Sequence, residues 1–233
     1  MKILFIIPSI DISFGGPSHS IINLCYALAQ SGSDITLFTT CPTGEVPELT
    51  GKGFDVRYFS SSWPKKNFNS KGMIDEIQRV GRSYDIIHVS SLWNFTSARA
   101  MKVASKIGVP FVLTVHGMLS AWERGFRSLH KEIFYKAVHE KQIKRARLLR
   151  YLTEQEKDDS SQNVGVINHA IVSNGIWPEE FEGLDATRFL DQYNLRHSSL
   201  VLFLGRLDGI KRLDLQCEAF KSLAPRFPAL SWA

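Results

Sequence analysis

Lys2-Ile3-Leu4-Phe5-Ile6-Ile7-Pro8, with Phe14-Gly15-Gly16-Pro17-Ser18 soon after it, sets the architecture. Residues 3–7 form a continuous apolar run, the pattern of a strand covered on both faces. The run is too short for a secretory leader and meets Pro8 without a small-residue cleavage site, so it reads as a strand. A polar loop over 9–16 comes next. Pro17 then opens a helical pattern with Ile21, Leu24, Cys25 and Leu28 on one stripe, and Gly32 stands just past its end. Strand, glycine loop and helix make one βα unit.

The same alternation continues along the chain. Strands are expected at 34–39, 54–59, 85–89, 111–115, 148–152 and 170–172, with helices at 71–82, 96–106 and 129–146 between them. Thr153-Glu154-Gln155-Glu156 carries the Thr and Glu of a capping box and starts a further helix. Such alternation means parallel βαβ units, hence an α/β fold with a Rossmann-like sheet. The composition breaks at Trp177-Pro178-Glu179-Glu180, and the pattern restarts with a strand at 200–204, a polar turn and a helix at 213–223. The expected division is a first domain over 1–175, a linker over 176–198, and the incomplete start of a second Rossmann-like domain over 199–233.

Composition bounds the function. The chain has 233 residues, 44% hydrophobic and 22% charged. This is ordinary globular usage, with no apolar run near the roughly 18 residues that span a bilayer. Cys25, Cys41 and Cys217 are too scattered for a disulfide framework or a metal knuckle and point to a reducing, cytoplasmic setting. A net charge of +5 is too mild to imply nucleic acid.

Three places can carry chemistry. In an open parallel sheet, ligands sit outside the carboxyl ends of the strands. Gly15 and Gly16 lie there, before a helix N-terminus that favours an anion. They match neither G-x-G-x-x-G nor a Walker loop, and a tight structural turn would use the same residues. His116-Gly117 ends the strand at 111–115 on the same edge, where an imidazole can bond a sugar hydroxyl or a phosphate. His88, in the neighbouring strand, reads as structural. Finally, Gly205-Arg206-Leu207-Asp208-Gly209-Ile210-Lys211 places two cations five residues apart across a strand-to-helix turn. Arg206 and Lys211 can converge on one anion, although a solvated basic turn has the same composition.

A further feature is the segment 130–150. Lys131, Lys136, Lys141, Lys144, Arg145, Arg147 and Arg150 stand against Glu132 and Glu140, an excess equal to that of the whole chain. Ile133, Phe134, Ala137 and Val138 supply an apolar stripe. The stripe is expected to pack on the sheet with the lysines in solvent; the competing reading is peripheral contact with an anionic inner-membrane surface.

Gly15-Gly16, Val115-His116-Gly117, Ser173-Asn174-Gly175 before Phe181, and Phe203-Leu204-Gly205-Arg206-Leu207-Asp208 with Lys211 occur in that order. Together they resemble the family-4 (group 1) retaining glycosyltransferases of the GT-B fold, from Lys2 to about Leu223. His116-Gly117-Met118-Leu119-Ser120 with Trp122 is similar to members that build bacterial surface polysaccharides. The resemblance implies two Rossmann-like domains and transfer of a sugar from a nucleotide diphosphate donor to a glycan or lipid-linked acceptor, with retention. It implies that Arg206 and Lys211 hold the donor diphosphate. Gly15 and Gly16 would lie near phosphate and transferred sugar, and His116 would contact the sugar or position the acceptor.

No metal or other cofactor is expected from the resemblance, fixed positive charge taking the cation's role. Family members carry E-x7-E well downstream of the Arg–Lys pair, and Ala233 precedes that point. The chain is therefore expected to be truncated early in the donor domain and inactive alone. Glu132 and Glu140 share the spacing but lie upstream and about 80° apart around a helix, a chance match. A non-catalytic acceptor-binding remnant is the alternative. A nicotinamide oxidoreductase would need the missing G-x-G-x-x-G.

Overall fold

The computed structural model describes residues 1–41, 45–46, 48–49, 51–61, 68–120, 132–165, 167–195, 199–205, 207 and 209–232, with the backbone alone at 162, 163 and 210. The chain divides into two compact units, Met1–Ile176 and Trp177–Ala233.

The first unit is a seven-stranded sheet in the order β3-β2-β1-β4-β5-β6-β7. The strands are β1 Lys2–Ile6, β2 Asp34–Thr40, β3 Asp55–Phe59, β4 Ile86–Ser90, β5 Phe111–Thr114, β6 Leu148–Tyr151 and β7 His169–Ile171. Every pairing is parallel. Helices α1 Gly16–Gln30, α2 Lys71–Val80, α3 Phe95–Ile107, a short α4 Glu140–Ile143 and α5 Glu154–Val164 supply crossovers. This is the expected Rossmann-like α/β architecture.

Two cores lie on the two faces of β1, as its alternation dictates. Ile3, Phe5 and Ile7 pack with Ile21, Ile22 and Cys25 of α1 and with Ile35 and Leu37 of β2. Leu4 and Ile6 face the other way, with Met73, Ile77, Met101, Ala104, Ile87 and Val89. The helix starts are chosen by short polar side chains: Ser70, Asn94 and Thr153 each accept a first-turn N–H at α2, α3 and α5. Gly108, at φ 77, closes α3 in the left-handed conformation.

The basic segment departs from expectation. Residues 135–139 (Tyr135–His139) form a π-turn that runs into α4, and the inserted residue rotates the helix face. Tyr135, His139, Gln142 and Ile143 are therefore the buried side chains. Ile133, expected on the packed stripe, is 60% exposed, and Ala137 is exposed as well. The cations are not one stripe either. Arg150 is in β6 and 7% exposed, while Lys136 and Lys144 pair with Glu132 and Glu140. Lys131 lies outside the described residues.

The second unit holds a 3₁₀ turn at Pro178–Phe181, α6 Thr187–Gln192, β8 Ser199–Val201, α7 Leu213–Leu223 and β9 Leu230–Trp232. The strand expected at 200–204 is shorter than the apolar run, with Leu202 54% and Leu204 91% exposed. β9, which no sequence signal announces, pairs parallel with β8. No described residue of this unit is buried. Two three-residue strands and two short helices enclose no core among the described residues.

Candidate active site at the carboxyl edge of the sheet

The strand order reverses direction between β1 and β4: β1 leads outward to β2 and β3, and β4 to β5, β6 and β7. Such a switch point leaves a crevice outside the carboxyl ends of the two strands, because the loops that leave them run to opposite sides. The loop after β1 contains Gly15 and Gly16. Gly15, at φ 92 and ψ −156, is the N-cap of α1 and provides no side-chain cap. The backbone there is open to glycine alone. Gly16 has ordinary helical geometry, and a Cβ built on it meets nothing within 4 Å. Pro17 has no N–H, and the Ser18 N–H donates to the Gly15 carbonyl at 3.1 Å. The start of α1 therefore presents the Gly16 N–H, with no side-chain cap, beside empty space where an anion's oxygen can sit.

His116 comes just after β5. Its Nε2 lies 2.7 Å from Oγ of Ser90, the last residue of β4, so the loops after two adjacent strands are joined. Burial holds the imidazole well below its ordinary value, to about 4, and the Arg150 guanidinium adds to the effect. At neutral pH the ring is uncharged. It can exchange hydrogen bonds with a hydroxyl but does not offer a cation to phosphate. The backbone around it is strained: His116 sits at φ 51, Ser91 at φ 84 and Trp93 at φ 60. Positive φ at three non-glycine residues on one edge is the kind of cost that functional loops retain. Trp93 Nε1–H donates to the Met118 carbonyl at 3.0 Å, which secures the segment after His116.

His88 is structural, as its position in β4 suggests. It is buried with Nε2 2.7 Å from Thr114 Oγ1, and burial lowers it to about 3.

Two residues escape a reading of the sequence. Glu156 accepts the Gly117 N–H and the Leu152 N–H, each at 2.5 Å. The capping-box spacing marks it, but its carboxylate serves the His116 loop. Thr153 does its own half of the box, accepting the Glu156 N–H at 3.1 Å. Arg150 donates to the carbonyls of Val172 and Ser173, both at 2.9 Å, and to Asn174 Oδ1 at 3.3 Å. It thus holds the Ser173-Asn174-Gly175 segment. A charge count over a basic run does not tell one inward arginine from its solvated neighbours; its place in β6 does.

Lys211 is exposed in a 3₁₀ turn of the second unit. Arg206, Asp208 and Trp122 lie outside the described residues. The first-unit residues Gly15, Gly16 and His116 share one sheet edge. Among the described residues no group of His, Cys, Asp or Glu could hold a metal ion, and no helix is long and apolar enough to cross a membrane.

The model of the glycosyl transferase 4-like domain matches residues 15–175, from the glycine loop to the end of the segment that Arg150 holds. The chain belongs to that family. No curated protein matches it in sequence. Among solved structures, Anabaena HepE in complex with UDP and glucose is 16% identical, with TM-score 0.66 over 95% of this chain and 58% of that one. Sucrose-phosphate synthase from Thermosynechococcus elongatus is 16% identical, with TM-score 0.64 over 95% and 60%. The lipopolysaccharide outer core galactosyltransferase WaaB, in its apo form, is 15% identical, with TM-score 0.53 over 100% and 67%. These likenesses show the GT-B fold. The glycosyl transferase 4-like chain thus spans about three fifths of the length of the first two structures.

Proposed function

We infer that this glycosyl transferase 4-like chain supplies the acceptor side and one edge of the donor site of a retaining transferase. The enzyme would move a sugar from a nucleotide diphosphate donor to a glycan or lipid-linked acceptor, in polysaccharide or glycoconjugate synthesis at the cytoplasmic face of a membrane. The observation that carries this reading is the neutral His116, tied to Ser90 on the edge that also presents the open start of α1. A transfer site needs donors for phosphate and an uncharged partner for hydroxyls, and these two elements provide one each.

Gly15 and Gly16 receive the phosphate and transferred sugar in this reading, and His116 bonds a sugar hydroxyl. Arg206 and Lys211 hold the diphosphate, and their fixed charge stabilises the leaving group without a metal. The chain alone does not turn over. A second reading, acceptor binding without transfer, draws on the absence of buried residues among those described in the second unit. Peripheral contact of 130–150 with an anionic surface fits the exposed Ile133 beside exposed lysines. Unchanged vesicle sedimentation after Lys141, Lys144 and Arg145 are replaced by Glu would sink it.

Ligand-observed NMR with UDP-glucose and GDP-mannose tests the main reading. Saturation should pass to sugar protons of at least one donor and be lost in His116→Ala. No transfer from either donor, or transfer that His116→Ala leaves intact, overturns it. Steady release of nucleoside diphosphate by the chain would overturn its inactivity.

A further inference from the structure

At the opposite edge of the sheet, the amino ends of β5 and β6 open into a basin of about 800 Å³. It is lined by Lys102, Lys106, Arg145 and Arg147, with Ser105 and Gly108–Phe111. Among the described residues no acidic residue lines it. Its distance from the His116 edge is at least the length of β5, about 13 Å for four residues. All four cations are exposed. Nearby Lys136 and Lys144 are neutralised by Glu132 and Glu140, whereas none of the four pairs with a carboxylate among the described residues.

The ordinary use of cations at this place is to cap a helix C-terminus. That task is already done by other groups. The N–H groups of Gly108 and Val109 donate to the Ala104 carbonyl, and Arg82 Nε donates to the Ile107 carbonyl at 3.3 Å. Ser105 Oγ–H is used within α3, on the Met101 carbonyl. The backbone that carries the arginines is fixed, with Arg145 N–H on the Gln142 carbonyl and Arg147 N–H on the Phe111 carbonyl. Four like charges are thus held around one cavity with no structural partner among the described residues.

We propose that this basin binds a multiply charged phosphate anion, at a site separate from the sugar-transfer edge. Two guanidinium forks match pairs of phosphate oxygens, and two lysines add mobile point charges. Four cations exceed what a single phosphate neutralises, and the volume lies in the range of small-ligand sites. A diphosphate or longer phosphate chain meets both conditions. The anion can be free in solution or be the headgroup of an anionic lipid. The inference does not depend on the proposed transfer reaction.

The test titrates the chain with tripolyphosphate, tracking amide shifts and the thermal midpoint at low and physiological salt. The expected result is saturable shifts at Gly108 and Arg147, a raised midpoint, and weakening with salt. The double variant Lys106→Ala/Arg147→Ala, both exposed and outside the core, should lose affinity at least tenfold. Lys141→Ala, on the same helical segment but outside the basin, should bind as the wild type. A parallel arm sediments wild type and double variant with phosphatidylglycerol vesicles. Vesicle binding that the double variant loses, without tripolyphosphate binding, assigns the site to a lipid headgroup. Binding to neither probe, binding that survives the double variant, or equal weakening by Lys141→Ala overturns the proposal.

Discussion

The Glu156 carboxylate accepts the backbone N–H of Gly117 at 2.5 Å, thirty-nine residues away in the chain. Its other oxygen accepts the Leu152 N–H at the same distance. One side chain therefore locks the end of β6 to the turn that aims His116. A buried carboxylate with two amide donors is a strong acceptor, and losing it strands both N–H groups. Glu156→Gln, which turns one acceptor into a donor, should destabilise the fold by about 1–3 kcal/mol. It should also shift the His116 ring resonances. A wild-type urea midpoint together with unchanged His116 signals would contradict this role.

Acid should unfold this protein early. Burial depresses His88 to about 3 and His116 and His139 to about 4, against an ordinary 6.5. Arg150 adds to the depression at His88 and His116. His139 sits against Trp93 and Phe134 with both ring nitrogens unpartnered. Between these values the unfolded chain binds more protons than the folded one. Stability is then complete above pH 6.5 and falls as pH drops toward 4. At pH 5 the loss is roughly 2 kcal/mol per histidine. Urea midpoints at pH 7.5 and 5 check it, since carboxylates remain mostly charged over that range. Equal midpoints would mean these histidines stay solvated.

The fold is legible in the sequence because β1 and its neighbours are buried on both faces and carry unbroken apolar runs, and because Pro17, Gly32 and Gly108 mark helix boundaries. Gly15, Gly16 and His116 are legible as edge residues for the same reason, since the end of a strand fixes the position of the loop that leaves it. Residues 135–139 are not legible. A π-turn shifts the phase of a helix by one residue, and a 3.6-residue period reads through it, so the period turns Ile133 inward while the structure turns it out. Arg150 is hidden within a charge count, although alternation in β6 decides its direction. Glu156 shows the converse: its spacing is that of a capping box, but which N–H groups it serves depends on β5, which only the folded chain brings near.

The second unit should exchange its amides far faster than the first. None of its described residues is buried, and Leu204, Leu207 and Leu184 are 91%, 86% and 73% exposed. Its β8–β9 ladder has three residue pairs, and a two-stranded sheet of that length is marginal in water. Protection in β8, α7 and β9 should be close to that of local fluctuation, while β1, β4 and β5 exchange through global unfolding. Hydrogen exchange by mass spectrometry measures both. Equal protection in the two units would require burial of the second that the exposed leucines do not show.

The two glycines of the α1 loop should respond in opposite directions to the same substitution. Gly15 occupies a φ,ψ region that an L side chain reaches only with strain, so Gly15→Ala should cost about 1–3 kcal/mol. Gly16 is free of that constraint and has no atom within 4 Å of a Cβ. Gly16→Ala should therefore leave stability unchanged or raise it by about 0.4–1 kcal/mol, through the smaller entropy of the unfolded chain. Its methyl group would nevertheless occupy the space beside the Gly16 N–H at the start of α1. Donor saturation transfer should fall in Gly16→Ala although the thermal midpoint does not. If Gly16→Ala binds donor as the wild type does, the open space at the start of α1 is not where the phosphate lies.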